Sequence, residues 1–332
     1  MDKYFPGVNL LSISILVTIK GLSIPSNIKN AYQEMSTLIG NPFFDNFKKF
    51  GISVYDTKKI TMESFYFDKT ENPEIIKYNS FSSYCSAKGV LYISGGENET
   101  EDIDKEPNEF NNFISIDLHK LDNFNLYLQE LPKLIVKRSW HSMIFIPNQY
   151  IFIVGGINTK TVEIYDIDEK RIYLDSELKE TRCEPTMCLV NNIYLYAFCG
   201  FYPLLNFNEN IERCNLLKNK REWEYIEYSN KISASFFGVS YYKDDEILLI
   251  SSKDNQDDDN KSYSVKIGKD EDSSIEINEI VLQYNEMRTF KDKLFYPVTD
   301  EFSANLPLIV GENKPVLILN IETGDIECKN YK

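Results

Sequence analysis

Apolar residues in this chain come in runs of four, and small residues close each run. Val90-Leu91-Tyr92-Ile93 precedes Gly95-Gly96, and Ile151-Phe152-Ile153-Val154 precedes Gly155-Gly156. Ile193-Tyr194-Leu195-Tyr196 precedes Cys199-Gly200, and Ile247-Leu248-Leu249-Ile250 precedes Ser251-Ser252. Short β-branched and aromatic runs of this kind predict strands buried on both faces. The runs share a frame: Phe81, His141, Pro185 and Phe237 each stand 14 residues before the first small residue of a pair. Arg138 and Arg182 stand 17 residues before Gly155 and Cys199.

A second pattern follows each small pair. Val162-Glu163-Ile164-Tyr165-Asp166 matches Ile52–Asp56 and Phe113–Asp117, and more loosely Ile211–Asn215, Tyr263–Lys266 and Val316–Asn320. The closing residues Asp56, Asp117, Asp166, Asn215, Lys266 and Asn320 are separated by 61, 49, 49, 51 and 54 positions. Asp or Asn there starts a tight turn by bonding its own backbone, and a fourth strand such as Trp223-Glu224-Tyr225-Ile226 comes next. A supersecondary unit repeated about every 50 residues marks a repeat architecture. The expectation is an all-β propeller of six blades, each of four antiparallel strands, as a single domain over residues 1–332. The approximate blades are 8–77, 78–136, 137–181, 182–233, 234–286 and 287–332. A pair of β-sandwiches is the alternative, but it does not require a gapless frame. In blade 1, Ile52 to Phe67 supplies two outer strands and Ser36–Gly40 suits the second strand. Residues 10–19 are either the first strand or a strand that pairs with the last blade.

These residues resemble kelch repeats. The likeness rests on Arg138-x-x-His141-Ser142, the doublets Gly95-Gly96 and Gly155-Gly156, Tyr165-Asp166 and Trp223, and it covers about residues 78–326. It implies a propeller with one repeat per blade. Cys199-Gly200, Ser251-Ser252 and the lone Gly311 depart from the pattern, as does the lack of the fourth-strand tryptophan in most units. The abundant Asn, Ile, Lys and Tyr resemble the degenerate kelch-motif proteins of AT-rich protist genomes.

The 332 residues carry 36 Lys and Arg against 51 Asp and Glu, a formal net charge of −15. With no basic stripe, neither nucleic acid nor membrane is expected as a partner, and a basic protein or peptide is favoured. Six cysteines without CxxC spacing read as reduced, packed thiols, which fits a cytoplasmic protein. The run Leu10–Ile19 is too short for a membrane span, and its Ile, Ser and Thr alternation suits a strand better than a secretion signal.

Candidate chemistry is sparse. The glycine doublets follow strands without phosphate-loop spacing, so they read as sites of close backbone approach. His119 and His141 are the two histidines. In the kelch frame His141 packs in a first strand, and two histidines make the copper site of galactose oxidase difficult to build. Sialidase boxes, Gly-x-Ser-x-Gly and HExxH are missing from the sequence. Asp254–Asn260 puts Asp259 and Val265 where a calcium loop needs Gly and Glu, so it reads as a solvated acidic loop. No cofactor or metal is expected.

The loops between repeats carry what functional signal there is. Residues 97–112 and 253–261 are acidic, whereas Phe201-Tyr202-Pro203-Leu204-Leu205-Asn206-Phe207 is aromatic and aliphatic. In kelch propellers such second-to-third-strand loops share a face with the blade linkers. This places Phe201, Tyr202, Leu204 and Leu205 with Arg138, Trp140 and Arg182 as a partner-binding surface. The expected function is a non-enzymatic scaffold binding a protein or peptide. The alternative is a propeller oxidase or hydrolase with a central-channel site.

Overall fold

The computed structural model describes residues 82–87, 90–98, 108–117, 128–147, 149–200, 210–230, 232 and 246–251. It also describes 262–267, 275–280 and the backbone strands 13–18, 49–56, 61–68, 237–243, 305–309, 316–320 and 326–329. These residues contain no helix; they form antiparallel sheets whose strands follow one another in chain order. Six sheets of three or four strands succeed one another, numbered here as blades 1 to 6.

Two compact units divide the chain. One comprises Met1–Leu131 with Leu282–Lys332, and the other Pro132–Val281. In the first unit, blade 1 pairs Ile13–Thr18 with Lys49–Asp56 and Lys49–Asp56 with Thr61–Asp68. The two outer strands stand where the sequence places them. Of the two readings of residues 10–19, the first-strand one fits: Ile13–Thr18 is the first strand of the described sheet and pairs with Lys49–Asp56. Residues 36–40 lie outside the described residues.

Blade 2 contains Ser83–Ala87, Val90–Ser94, Phe113–Asp117 and Leu128–Glu130. The acidic loop 97–112 begins and ends as a two-stranded ribbon, Glu97–Asn98 against Asn108–Glu109. Blade 6 joins Asn305–Ile309, Val316–Asn320 and Ile326–Lys329.

The second unit holds blades 3, 4 and 5, each a four-stranded meander. Blade 3 runs Ser142–Ile146, Tyr150–Val154, Val162–Asp166 and Arg171–Leu174. Blade 4 runs Thr186–Val190, Tyr194–Phe198, Ile211–Asn215 and Trp223–Ile226. Blade 5 runs Phe237–Lys243, Glu246–Ser251, Ser262–Lys266 and Glu276–Ile280. The first strands of the three blades lie side by side, which is how propeller blades are arranged.

Face-to-face stacking explains the unbroken apolar runs. In blade 4, Leu195 and Ala197 point into a core shared with Phe152, Val154, Val162 and Ile164 of blade 3. The intervening Tyr196 and Phe198 point into a second core with Ile247, Leu249, Val265 and Ile277 of blade 5. A strand that alternates between two cores has no polar side. The Tyr196 and Phe198 rings stack with centroids 5.9 Å apart.

Trp223 on the outer strand of blade 4 is buried in the first of these cores, and its indole Nε1 has no hydrogen-bond acceptor among the described residues. Trp223→Ala should therefore cost about 3–5 kcal/mol through the cavity it opens. Trp223→Phe removes the orphan donor and should cost under about 1.5 kcal/mol. Urea unfolding followed by far-UV circular dichroism checks the order; equal losses would contradict it.

Candidate functional site

The loops that enter blades 3 and 4 are built on one plan. In blade 3 the Arg138 side chain lies wholly inside the protein. Its Nη2 donates to Glu163 Oε1 at 2.6 Å and to Thr161 Oγ1 at 2.8 Å. Its Nη1 donates to the carbonyls of Gly155 at 2.8 Å and Thr161 at 3.1 Å. Glu163 also accepts the backbone N–H groups of Ile135 and Val136. One carboxylate thus neutralises the arginine and terminates two backbone amides of the entering linker.

Blade 4 repeats the arrangement. Arg182 Nε donates to Glu212 Oε1 at 2.9 Å, and its Nη1 donates to the Cys199 carbonyl at 2.7 Å. Glu212 accepts the amides of Lys179 and Glu180. The 17-residue frame is the sequence distance between each arginine and the carbonyl it binds.

Burying an ion pair costs solvation that is recovered only when both charges are present and hydrogen-bonded. The repeats obey this rule. The positions equivalent to Arg138 and Glu163 are Tyr78 and Ile114 in blade 2, and Ala234 and Tyr263 in blade 5. Both charges disappear together. In blade 2, Ser82 Oγ donates instead to the Gly95 carbonyl.

The glycine doublets serve this junction. Gly155 and Gly156 have φ of 70° and 126°, and the Gly156 amide donates to the Arg182 carbonyl at 2.9 Å. A Cβ on Gly155 would stand 2.6 Å from that carbonyl oxygen, so backbone alone fits between blades 3 and 4. The Gly155–Gly156 doublet is a site of close approach, as the sequence indicates.

Arg138, Trp140 and Arg182 are therefore brought to one end of the unit, but not as a common surface. Arg138 and Arg182 are corrected from partner-facing groups to internal ones: both side chains are 0% exposed, because each is consumed by its glutamate and a strand-end carbonyl. Trp140 is half-buried, with φ of 55°, and its carbonyl accepts the Glu184 amide. Glu184, two residues after Arg182 as Trp140 is after Arg138, has φ of 50°, so this backbone shape belongs to the repeat. Phe201, Tyr202, Leu204 and Leu205 lie outside the described residues, as does His119.

Glu163 and Glu212 are the residues that motif reading missed. Their signal was present: a glutamate in the second place of the third strand, in the two repeats that also carry an arginine.

His141 is buried beside this junction. Burial, and then the Arg138 charge, push its imidazole well below the ordinary value of 6.5, so it is neutral. Burial raises the Cys214 thiol to about 12, with Asp175 adding to the effect, which makes it a packing group rather than a nucleophile. For Asp166, burial acts upward but is outweighed by bonds from the Glu169 amide, Gln149 and the Asp168 amide, so its carboxyl is lowered. Among the described residues, no group of three or more His, Cys, Asp or Glu side chains could hold a metal ion. Among them, too, no helix is long and apolar enough to cross a membrane.

No protein-family model and no curated protein matches the chain. The structure is similar to a solved structure titled "Structure of YjhT", with 11% sequence identity and a TM-score of 0.45. The match covers 72% of this chain and 71% of that one. A likeness at this level carries nothing about function.

Arg138→Met and Glu163→Gln should each destabilise by about 3–5 kcal/mol, because either leaves a buried charge without its counterion. Combined, they should cost less than the sum, as a double-mutant cycle in urea would measure; additive losses would sink the coupling. His141 binds its proton more weakly in the fold than in the unfolded chain. Its contribution is full above pH 6.5 and is lost as pH falls below that value, by up to about 1.4 kcal/mol per pH unit. The Asp166 contribution is lost only below its ordinary 3.8, a separate window. Melting curves of the protein and His141→Gln between pH 7 and 5 should converge as pH falls. Parallel curves would exclude His141 as the source.

Proposed function

We propose that this chain is a kelch-type propeller acting as a non-enzymatic interaction module, which binds a protein or peptide through the loop that follows Gly200. One observation carries the reading. Arg138 meets Glu163 and Thr161 Oγ1 through Nη2, whereas Arg182 meets Glu212 through Nε, and its buried Nη2 has no acceptor among the described residues. Four residues separate Gly156 from Thr161, but nine separate Gly200 from Asn210. Asn210, which replaces Thr161 in the frame, turns to the Glu180 carboxylate instead.

An unsatisfied buried N–H costs about 1–3 kcal/mol, and the short loop of blade 3 instead brings the Thr161 hydroxyl to an arginine Nη2. A loop lengthened beyond what the neighbouring repeat needs, without a stabilising return, marks a functional position. What the longer loop contains is Phe201, Tyr202, Leu204, Leu205 and Phe207, side chains suited to a binding hot spot. Trp140 keeps part of its surface at the same end and would extend the contact. The net charge of −15 favours a basic partner, and the buried thiols of blade 4 favour a reducing, cytoplasmic setting.

The test is affinity purification with quantitative mass spectrometry from the native cell, using three baits. Tyr202→Ala with Leu205→Ala should lose a defined partner without lowering the melting temperature. A chimera with residues 201–209 replaced by Ile157–Lys160, and Asn210→Thr, should melt at or above the natural temperature and lose the same partner. If both folded variants retain every co-purified protein, the loop is not the binding site.

A further inference from the structure

The geometry points to a second docking surface, on the outer rim between blades 3 and 4, for an acidic segment of a partner protein that carries apolar side chains. Its centre is the turn between the third and fourth strands of blade 4, Leu216-Leu217-Lys218-Asn219-Lys220-Arg221. Leu217 is 70% exposed, the most exposed large apolar residue among those described. Three cations fall within the four residues that follow it, in a chain whose net charge is −15.

This turn is held rigidly. The Leu217 amide donates to Asn215 Oδ1 at 3.0 Å, and the Leu216 amide donates to the Ile193 carbonyl at 2.8 Å. Arg221 reaches across to blade 3, where Nε and Nη2 bind the Asp175 carboxylate at 2.9–3.0 Å. Its guanidinium also lies 5.9 Å from the Phe152 ring centre. Asp175 follows Leu174, itself 56% exposed on the edge strand of blade 3. The Arg221–Asp175 bridge therefore ties two exposed leucines to one stretch of rim. Lys220, 89% exposed, stands beside them, paired with Glu222.

The equivalent turn of blade 3 shows what the fold requires. It has four residues between Asp166 and Arg171, two of them acidic, Asp168 and Glu169. Blade 4 extends the turn to six residues, reverses its charge and adds Leu217. A merely solvated turn gains nothing from an exposed, immobilised leucine. An apolar group already fixed in place loses little entropy on binding, and cations beside it select an acidic counterpart. An anionic membrane offers similar charge but is repelled by the rest of an acidic protein.

The experiment uses the full chain and fluorescein-labelled synthetic peptides. A peptide alternating Glu and Leu should bind, with affinity falling as salt rises, and one alternating Lys and Leu should not. Lys218→Glu with Lys220→Glu, and separately Leu217→Ser, should each weaken binding about tenfold, while Lys160→Glu should leave it unchanged. All substituted side chains are exposed, so melting curves should overlay. Equal binding by the rim variants, or equal binding of the Lys-Leu peptide, overturns the proposal. So does binding to phosphatidylserine vesicles that the rim variants abolish while the Glu-Leu peptide stays unbound. None of these variants touches residues 201–209, so failure here leaves the loop reading standing.

Discussion

Burial of both faces of a sheet constrains everything else in the second unit. A blade between two neighbours has little room for a polar side, so its second strand is a continuous apolar run and the chain must turn within a narrow gap. The Gly155–Gly156 junction meets that demand with bare backbone, its amide bound to the Arg182 carbonyl. The arginine beneath it then has to be neutralised out of water. Glu163 and Glu212 do this while capping the amides of the incoming linkers. Packing, turn geometry and charge pairing are consequences of one arrangement.

The same arrangement separates scaffold from candidate function. The conspicuous charged residues of the repeat, Arg138 and Arg182, are internal fasteners, and the histidine beside them is neutral and buried. The surfaces proposed for recognition lie where blade 4 departs from blade 3. It does so twice, with a longer apolar loop after Gly200 and a longer basic turn after Asn215. Departure from an internal standard is a sharper guide than residue type alone, because the neighbouring blade shows what the fold needs at that position.

The strands were legible because a residue facing one core must be apolar and the next faces another core, which leaves runs such as Ile151–Val154 in plain view. Turns were legible from Asp166 and Asn215, whose side chains accept the amides of Asp168 and Leu217. Glu163 was not read as a partner of Arg138, since 25 residues part them and the salt bridge exists only once the third strand passes the linker. Whether residues 10–19 open blade 1 or pair with the last blade was open for a related reason: strand order depends on pairing partners, and a single strand does not name its neighbour.

By itself the sequence determined the all-β class, the repeat, the turn positions and the backbone role of the glycines. Each follows from local chemistry, in side-chain period, spacing and φ. Tertiary structure decided which charges are inside, which carbonyl each guanidinium reaches, and through which nitrogen each arginine meets its glutamate. Those outcomes depend on distances between segments far apart in the chain, and on a desolvation cost that arises only when the blades close upon one another.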